Sequence, residues 1–251
     1  MNAPRVLAAT GAWGALLTVV ILAMSVLLRL GTQGQGEGAI SMLPTGMEQG
    51  ARIAHRIAAM GVGVLAAVAV VAAWRGGRGK AMPAAVAGLT LMLALIGRYT
   101  PGYRFDLVTV LNMAGGVALA AAFWALRPRA STRPDPVALI ALGLLVVLAV
   151  AGAAADASAM RGSRDFGPLH VWMAGVFGCF ALVAAWRSRT RRWLAAATAT
   201  LTVAQIAVGL AVLASGELRP LALGWVHAMA ACVLALLLVS LAFGRPGEDL
   251  A

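Results

Sequence analysis

The sequence predicts an all-α integral membrane protein whose eight transmembrane helices form two tandem, parallel four-helix bundles. Three observations support this fold class: the composition, the lengths of the apolar runs, and an internal repeat. Of the 251 residues, 61% are hydrophobic and only 12% are charged, which is more apolar than a soluble domain. Almost nothing remains for a soluble domain once the apolar runs are assigned to the bilayer.

Each apolar run is close to the length of about 20 residues that an α-helix needs to cross a bilayer. The predicted spans are Val6–Leu28, Arg52–Trp74, Ala81–Gly97, Leu107–Leu126, Pro136–Ala155, Gly167–Trp186, Trp193–Ser215 and Leu221–Phe243. The first run is longer than the apolar region of a signal peptide, about 7 to 15 residues, and it lacks a clear small-residue cleavage site. We therefore interpret it as a span.

Basic residues predict the orientation of the spans. They collect in alternate short loops, within 75–80, 127–133 and 187–192, and near both chain ends. By the positive-inside rule both termini are cytoplasmic, as expected for a multi-pass protein of a bacterial-type inner (plasma) membrane. The net charge of +11 reflects this topology and a surface suited to the anionic lipid bilayer, so we predict no nucleic-acid partner.

The chain repeats itself at an interval of 112 to 115 residues. "VAAWR" at 71–75 returns at 183–187, and "LTLML" at 89–93 matches "LTVAQ" at 201–205. We therefore predict two bundles, residues 1–130 and 131–251. Each bundle holds four spans, an even number, so the two repeats share one orientation.

The histidines follow the same repeat. His55 and His170 lie 115 residues apart, His170 and His227 lie 57 apart, and the fourth position of this pattern is Asn112. All four residues fall about 6 to 9 Å into even-numbered spans, which run from the outside inwards. They are predicted to form one layer near the outer face.

A polar residue inside a span suggests a functional site, because an unpaired polar group is costly in hydrocarbon. Any single histidine here can also be a residue of the membrane interface whose hydrogen bonds are satisfied. Zinc fits poorly, because it prefers four nitrogen or sulfur ligands and each bundle offers two. Cys179 and Cys232 lie within spans and are interpreted as packing residues. A proton relay would need carboxylates within the membrane, whereas the acidic residues lie in loops or at span ends.

Haem fits the histidine layer better. Two histidines on facing helices supply both axial nitrogens, and the apolar macrocycle fills the space between the helices. Its propionates need cations, and arginine pairs well with carboxylates. The candidates on the outer side are Arg29, Arg52, Arg56, Arg98, Arg104, Arg161, Arg164 and Arg219, of which about half are expected to pair with outer acidic residues instead.

The His55-Arg56 pair, together with "TVAQIAVGLAVLASG" and the following "PLALGWVHAMAACVLALLLV", resembles the haem A synthase family over nearly the whole chain. Gln205, Gly209 and His227 match the seventh and eighth spans of that family. The resemblance implies an oxidoreductase that converts a methyl group of haem O to the formyl group of haem A for cytochrome oxidase biogenesis. It also implies haem O synthase or terminal oxidase assembly factors as partners.

By the same resemblance, residues 131–251 bind a haem b cofactor, and residues 1–130 bind the haem O substrate. The implied haem b residues are the iron ligands His170 and His227 with Arg161, Arg164 and Arg219; the implied substrate-haem residues are His55, an iron ligand, with Asn112, Arg52 and Arg56.

The first bundle departs from the family pattern at three points. Asn112 replaces a histidine, Arg52 replaces a glutamate thought to be catalytic, and a cysteine pair is missing from the first outer loop. Glu48, seven residues before His55 and near the same helix face, is the candidate substitute for the glutamate. Two alternatives therefore stay open: a non-catalytic haem b protein acting as an oxidase assembly factor or electron conduit, and a transporter with a site between the repeats.

Overall fold

The computed structural model describes residues 3–33, 40–76, 79–98, 107–127, 134–160, 167–215 and 221–243. Within these ranges the chain forms eight helices and two short strands. They are α1 (Ala3–Leu30), β1 (Thr32–Gln33), β2 (Ile40–Ser41), α2 (Thr45–Gly76), α3 (Ala81–Arg98), α4 (Leu107–Trp124), α5 (Pro136–Met160), α6 (Gly167–Arg187), α7 (Arg192–Ala214) and α8 (Leu221–Phe243). The strands pair antiparallel in the connection between α1 and α2.

The predicted all-α membrane fold with eight helices is confirmed. Seven of the described helices are long and apolar enough to cross a membrane, and α4 contributes a shorter apolar stretch over Val110–Trp124. Helices suit this setting because every main-chain hydrogen bond is satisfied within the segment, which hydrocarbon requires.

The helices extend beyond the predicted spans at several ends. The largest difference is in α2, which begins at Thr45 rather than Arg52, with the Pro44 carbonyl accepting hydrogen bonds from the amides of Met47 and Glu48 at 2.9 and 3.0 Å. Hydropathy marks only the part of a helix that hydrocarbon surrounds, whereas the helix continues into the polar interface. The first two turns of α2 are therefore polar and were missed.

The chain divides into two compact units, Met1–Pro128 and Arg129–Ala251. In the first unit, α1 and α3 each pack against both α2 and α4. In the second unit, α5 and α7 each pack against both α6 and α8, and α6 also contacts α8 across the bundle. Each unit is thus a ring of four helices in chain order, the arrangement that short connections favour.

Small residues allow close helix packing in the first unit. A Cβ on Gly14 of α1 would overlap the ring of Phe123, which is fully buried on α4. On the other turns of α4, a Cβ on Gly115 would lie 2.6 Å from Cδ2 of Leu93, and one on Gly116 would lie 2.5 Å from Cδ2 of Leu22. Leucine and phenylalanine side chains therefore fill the space that these glycines open, as in other membrane bundles.

Asp135 ties three helices together at one end of the second unit. Its Oδ1 accepts hydrogen bonds from the amides of Val137 and Ala138, at 2.8 and 3.3 Å, and so caps the N-terminus of α5. Its Oδ2 accepts a bond of 3.1 Å from Nε of Arg187 at the end of α6. Its own amide donates to the carbonyl of Ala242 in α8 at 3.0 Å.

Arg191 completes this end of the bundle from the connection between α6 and α7. Its guanidinium donates to the carbonyls of Ser240 and Leu241, at 2.7 and 3.1 Å. These carbonyls belong to the last turn of α8, where a positive charge also interacts favourably with the helix dipole. We refer to Asp135, Arg187 and Arg191 as the polar clasp.

Substituting Asp135 tests the cap against the ion pair. We expect Asp135→Ala to lower the free energy of unfolding by about 1 kcal/mol, because the N-cap is lost. Asp135→Asn keeps a capping oxygen and loses only a partly exposed ion pair, so it should unfold near the wild-type temperature. Thermal unfolding in detergent measures both variants; equal destabilisation by Ala and Asn would show that the ion pair dominates.

Candidate functional site

Two histidines face each other inside the second unit. His170 lies in the first turn of α6 and His227 in the second turn of α8, and these helices contact each other across the bundle. The centroids of the two imidazole rings are 6.4 Å apart, and their planes meet at 72°. The helices that the sequence predicted to carry paired histidines therefore bring them together at one end of the bundle.

Each imidazole lies against a glycine of the preceding helix. A Cβ on Gly152 of α5 would lie 2.9 Å from Cε1 of His170, and a Cβ on Gly209 of α7 would lie 2.9 Å from Cε1 of His227. In both cases Nε2 lies farther from the glycine, at 3.7 Å. The missing side chains allow the rings to approach the neighbouring backbone, with Cε1 of each ring nearest the glycine.

The backbone one turn before each glycine also borders the histidine rings. The backbone of Leu148 lies near the His170 ring, and that of Gln205 lies near the His227 ring. Nδ1 of both rings is buried and has no hydrogen-bond partner among the described residues. Backbone carbonyls next to Nδ1 are the usual means by which proteins orient an imidazole that binds a metal through Nε2.

These contacts reveal a second, shorter repeat. Leu148, Gly152 and His170 are each followed 57 residues later by Gln205, Gly209 and His227. The hairpins α5–α6 and α7–α8 therefore present the same arrangement to the site. The 57-residue interval was predicted for the histidines, and Gly209 was noted only through the family resemblance. The matching Gly152 was missed, although a glycine precedes each histidine by 18 residues.

Gln205 breaks the symmetry between the two hairpins. Its side chain is only 6% exposed, and its Nε2 donates a hydrogen bond of 2.8 Å to the carbonyl of His227. Its Oε1 is buried without a hydrogen-bond partner in the described part of the chain. The matching residue of the other hairpin, Leu148, has no polar group to offer.

The candidate residues of the first unit are arranged differently. Glu48 and Arg52 form an ion pair, with Oε1 of Glu48 accepting bonds of 2.6 and 2.9 Å from Nη2 and Nε of Arg52. The Arg52 side chain is 44% exposed, so this pair contributes about 0 to 1 kcal/mol to stability. Arg56 is exposed, whereas His55 on α2 and Asn112 on α4 are half-buried.

We call each glycine that contacts a histidine ring, Gly152 and Gly209, a histidine seat. The first unit has a glycine at the corresponding position but no histidine ring against it. By the 112-residue repeat, Gly97 corresponds to Gly209 and Leu93 to Gln205. A Cβ on Gly97 would have nothing within 4 Å, whereas a Cβ on Gly209 would meet the His227 ring. Asn112 stands where that ring would be attached, and its side chain does not reach the glycine.

The remaining arginine candidates are spread over the chain. Arg29 is half-buried at the end of α1, and Arg98 is exposed at the end of α3. Outside the described residues lie Arg104, Arg161, Arg164 and Arg219. Within the described ranges no three His, Cys, Asp or Glu side chains converge on one point, and the donors that do meet are the two imidazoles of the second unit.

Comparison with known proteins identifies no relative. No protein-family model matches the chain, and no curated protein matches it.

Two glycine substitutions on α5 test the histidine seat. Gly152→Ala places a methyl group against the His170 ring and should destabilise the protein by about 1 kcal/mol or more, as overpacking does. Gly143→Ala, where a Cβ would have nothing within 4 Å, should instead stabilise the helix by about 0.5–1 kcal/mol. The unfolding temperatures of the two variants in detergent should shift in opposite directions relative to the wild type. Shifts of the same sign would contradict close packing of the His170 ring against Gly152.

Proposed function

We propose that this protein is a haem-binding membrane oxidoreductase of the haem A synthase type, divergent in its substrate bundle. His170 and His227 would hold a haem b in the second unit through Nε2. When bound, the haem supplies one-electron chemistry within the membrane. The observation that carries the proposal is the facing pair of imidazoles between α6 and α8.

The separation of the two rings supports this ligand. Imidazole–metal bonds of about 2.0–2.1 Å, with about 1.1 Å from each nitrogen to its ring centre, give a centroid separation of about 6.3 Å across a single metal ion. The observed separation is 6.4 Å. The two imidazoles are half-buried, and Nδ1 of each is buried, so Nε2 is the nitrogen that we propose to bind the haem iron.

The surroundings of the pair also support a haem. A buried polar ring in a membrane bundle is costly unless it binds a partner. The backbone beside each Nδ1 would fix ring orientation and raise the basicity of the ligand nitrogen. We propose that Arg161, Arg164 and Arg219, which come from the connections on the histidine side of this unit, pair with the propionates.

For the first unit we propose a substrate site for haem O around His55, with Asn112, Arg52 and Arg56 nearby. His55 would supply one protein ligand to the iron of that haem, and the haem would bring oxygen chemistry to the site. Glu48 is the only catalytic carboxylate we propose, and its ion pair with Arg52 would hold its side chain in place near the start of α2. The exposed Arg56 would be available for a propionate.

A non-catalytic haem b protein, serving as an oxidase assembly factor or electron conduit, is the second candidate. Two observations favour it. Asn112 leaves Gly97 without the ring that Gly209 contacts, and Glu48 is bound by an arginine at the position where the resembling family has a glutamate. On this alternative only His170 and His227 bind haem.

The setting we propose for either activity is a bacterial-type inner membrane with both chain ends in the cytoplasm. The basic loops support this orientation: the clasp residues Arg187 and Arg191 and the segment 75–80 lie at the ends of spans opposite to the histidines. The histidine site would then lie near the outer face. Haem O synthase and terminal oxidase assembly factors are the partners we propose.

Purification followed by identification of the extracted haem separates these candidates. Conversion of added haem O to haem A by the purified protein, with dioxygen as the oxidant and a reductant supplied, supports the oxidoreductase. A single low-spin haem b without conversion supports the second candidate. A protein that binds neither haem b nor haem O contradicts both.

Histidine substitutions test the assignment of haem b to the second unit. We expect His170→Ala and His227→Ala each to abolish the low-spin haem spectrum, because each removes one axial donor. His55→Ala serves as the matched control and should retain most of that spectrum. Absorption spectra and haem-to-protein ratios of the purified variants measure this, and equal loss in all three would refute the division between the units.

A further inference from the structure

On the basis of the proposed haem b site, we infer that the two histidines are held unequally: His227 is the fixed ligand and His170 is the ligand that dissociates. The two hairpins place their rings alike: a Cβ on Gly152 or on Gly209 would lie 2.9 Å from Cε1 of the neighbouring histidine. The difference between them is in how each histidine's backbone is held.

Gln205 fixes the backbone of His227. Its side chain donates to the His227 carbonyl at 2.8 Å and is 6% exposed, so this hydrogen bond joins α7 to α8 at the ligand residue itself. The Gln205 side chain is buried, so breaking this part-buried bond would leave a buried amide without its acceptor, which is costly. Any shift of α8 that withdraws His227 would break it.

The corresponding bond is impossible in the other hairpin. Leu148 stands where Gln205 stands 57 residues later, and a leucine side chain has no donor for the carbonyl of His170. His170 also lies three residues after the start of α6, whereas His227 lies six residues after the start of α8. Helix ends open more readily than the turns that follow them. Both differences make His170 the more easily displaced residue.

Amide hydrogen exchange on the haem-free protein tests the unequal hold without requiring any ligand. In the wild type we expect the amides around His170 to exchange faster than those around His227. Gln205→Leu, which copies the residue of the other hairpin, should raise exchange around His227 about fivefold, the equivalent of about 1 kcal/mol, and leave the α6 amides unchanged. Unchanged exchange around His227 would overturn the inference.

Carbon monoxide binding to the reduced, haem-loaded protein tests which ligand leaves. Leu148→Gln should give α6 the bond that α8 already has and slow carbon monoxide binding about three- to fivefold. Gln205→Leu should change it less than twofold, because His170 still leaves first. The reverse order of effects would assign the mobile ligand to His227 and overturn the inference.

The two tests separate this inference from the proposed function. If Leu148→Gln does not fold, exchange in the wild type and in Gln205→Leu still decides whether the two histidines are held unequally. If His170→Ala and His227→Ala leave haem binding intact, the haem assignment fails, whereas equal exchange at both histidines refutes only the unequal hold.

Discussion

The second unit depends on one constraint: two half-buried imidazoles lie at the same end of an apolar membrane bundle. Their rings lie 6.4 Å apart because Gly152 and Gly209 remove the side chains that would keep them from the neighbouring helices. Polar rings in such a place need a partner, since water is not at hand to replace one. The histidine seats and the contact between α6 and α8 together accommodate this pair of rings.

At the opposite end of the same unit, hydrogen bonds and an ion pair hold the helices together. The polar clasp joins the start of α5 to the ends of α6 and α8 through a cap, an ion pair and bonds to terminal carbonyls. These groups satisfy backbone atoms that every helix terminus leaves unpaired. Polar contacts fix one end of the unit, whereas packing of the imidazole rings against glycines arranges the histidine end. A single difference there, Gln205 in place of Leu148, decides whether the backbone of the histidine receives a side-chain hydrogen bond.

The two units show how a repeat diverges. The first unit retains His55 and the glycine that matches Gly209, but it carries Leu93 and Asn112 at the positions of Gln205 and His227. Its glycines on α4 are filled by Leu22 and Leu93, so its interior is packed by aliphatic side chains at that depth. With Asn112 at the position of His227 and Leu93 at the position of Gln205, the first unit offers one histidine, His55, where the second unit offers two.

Sequence alone determined the fold class, the eight helices and the interval that pairs His170 with His227, because hydropathy and helical periodicity are local properties that composition records directly. It also placed Glu48 near the helix face of His55, yet it began α2 two turns late, because hydropathy does not mark the polar end of a helix. Only the tertiary structure revealed the glycine seats, the Gln205 bond and the clasp. These depend on contacts between residues 18 to 107 positions apart in sequence, and no local pattern specifies which helix faces will meet.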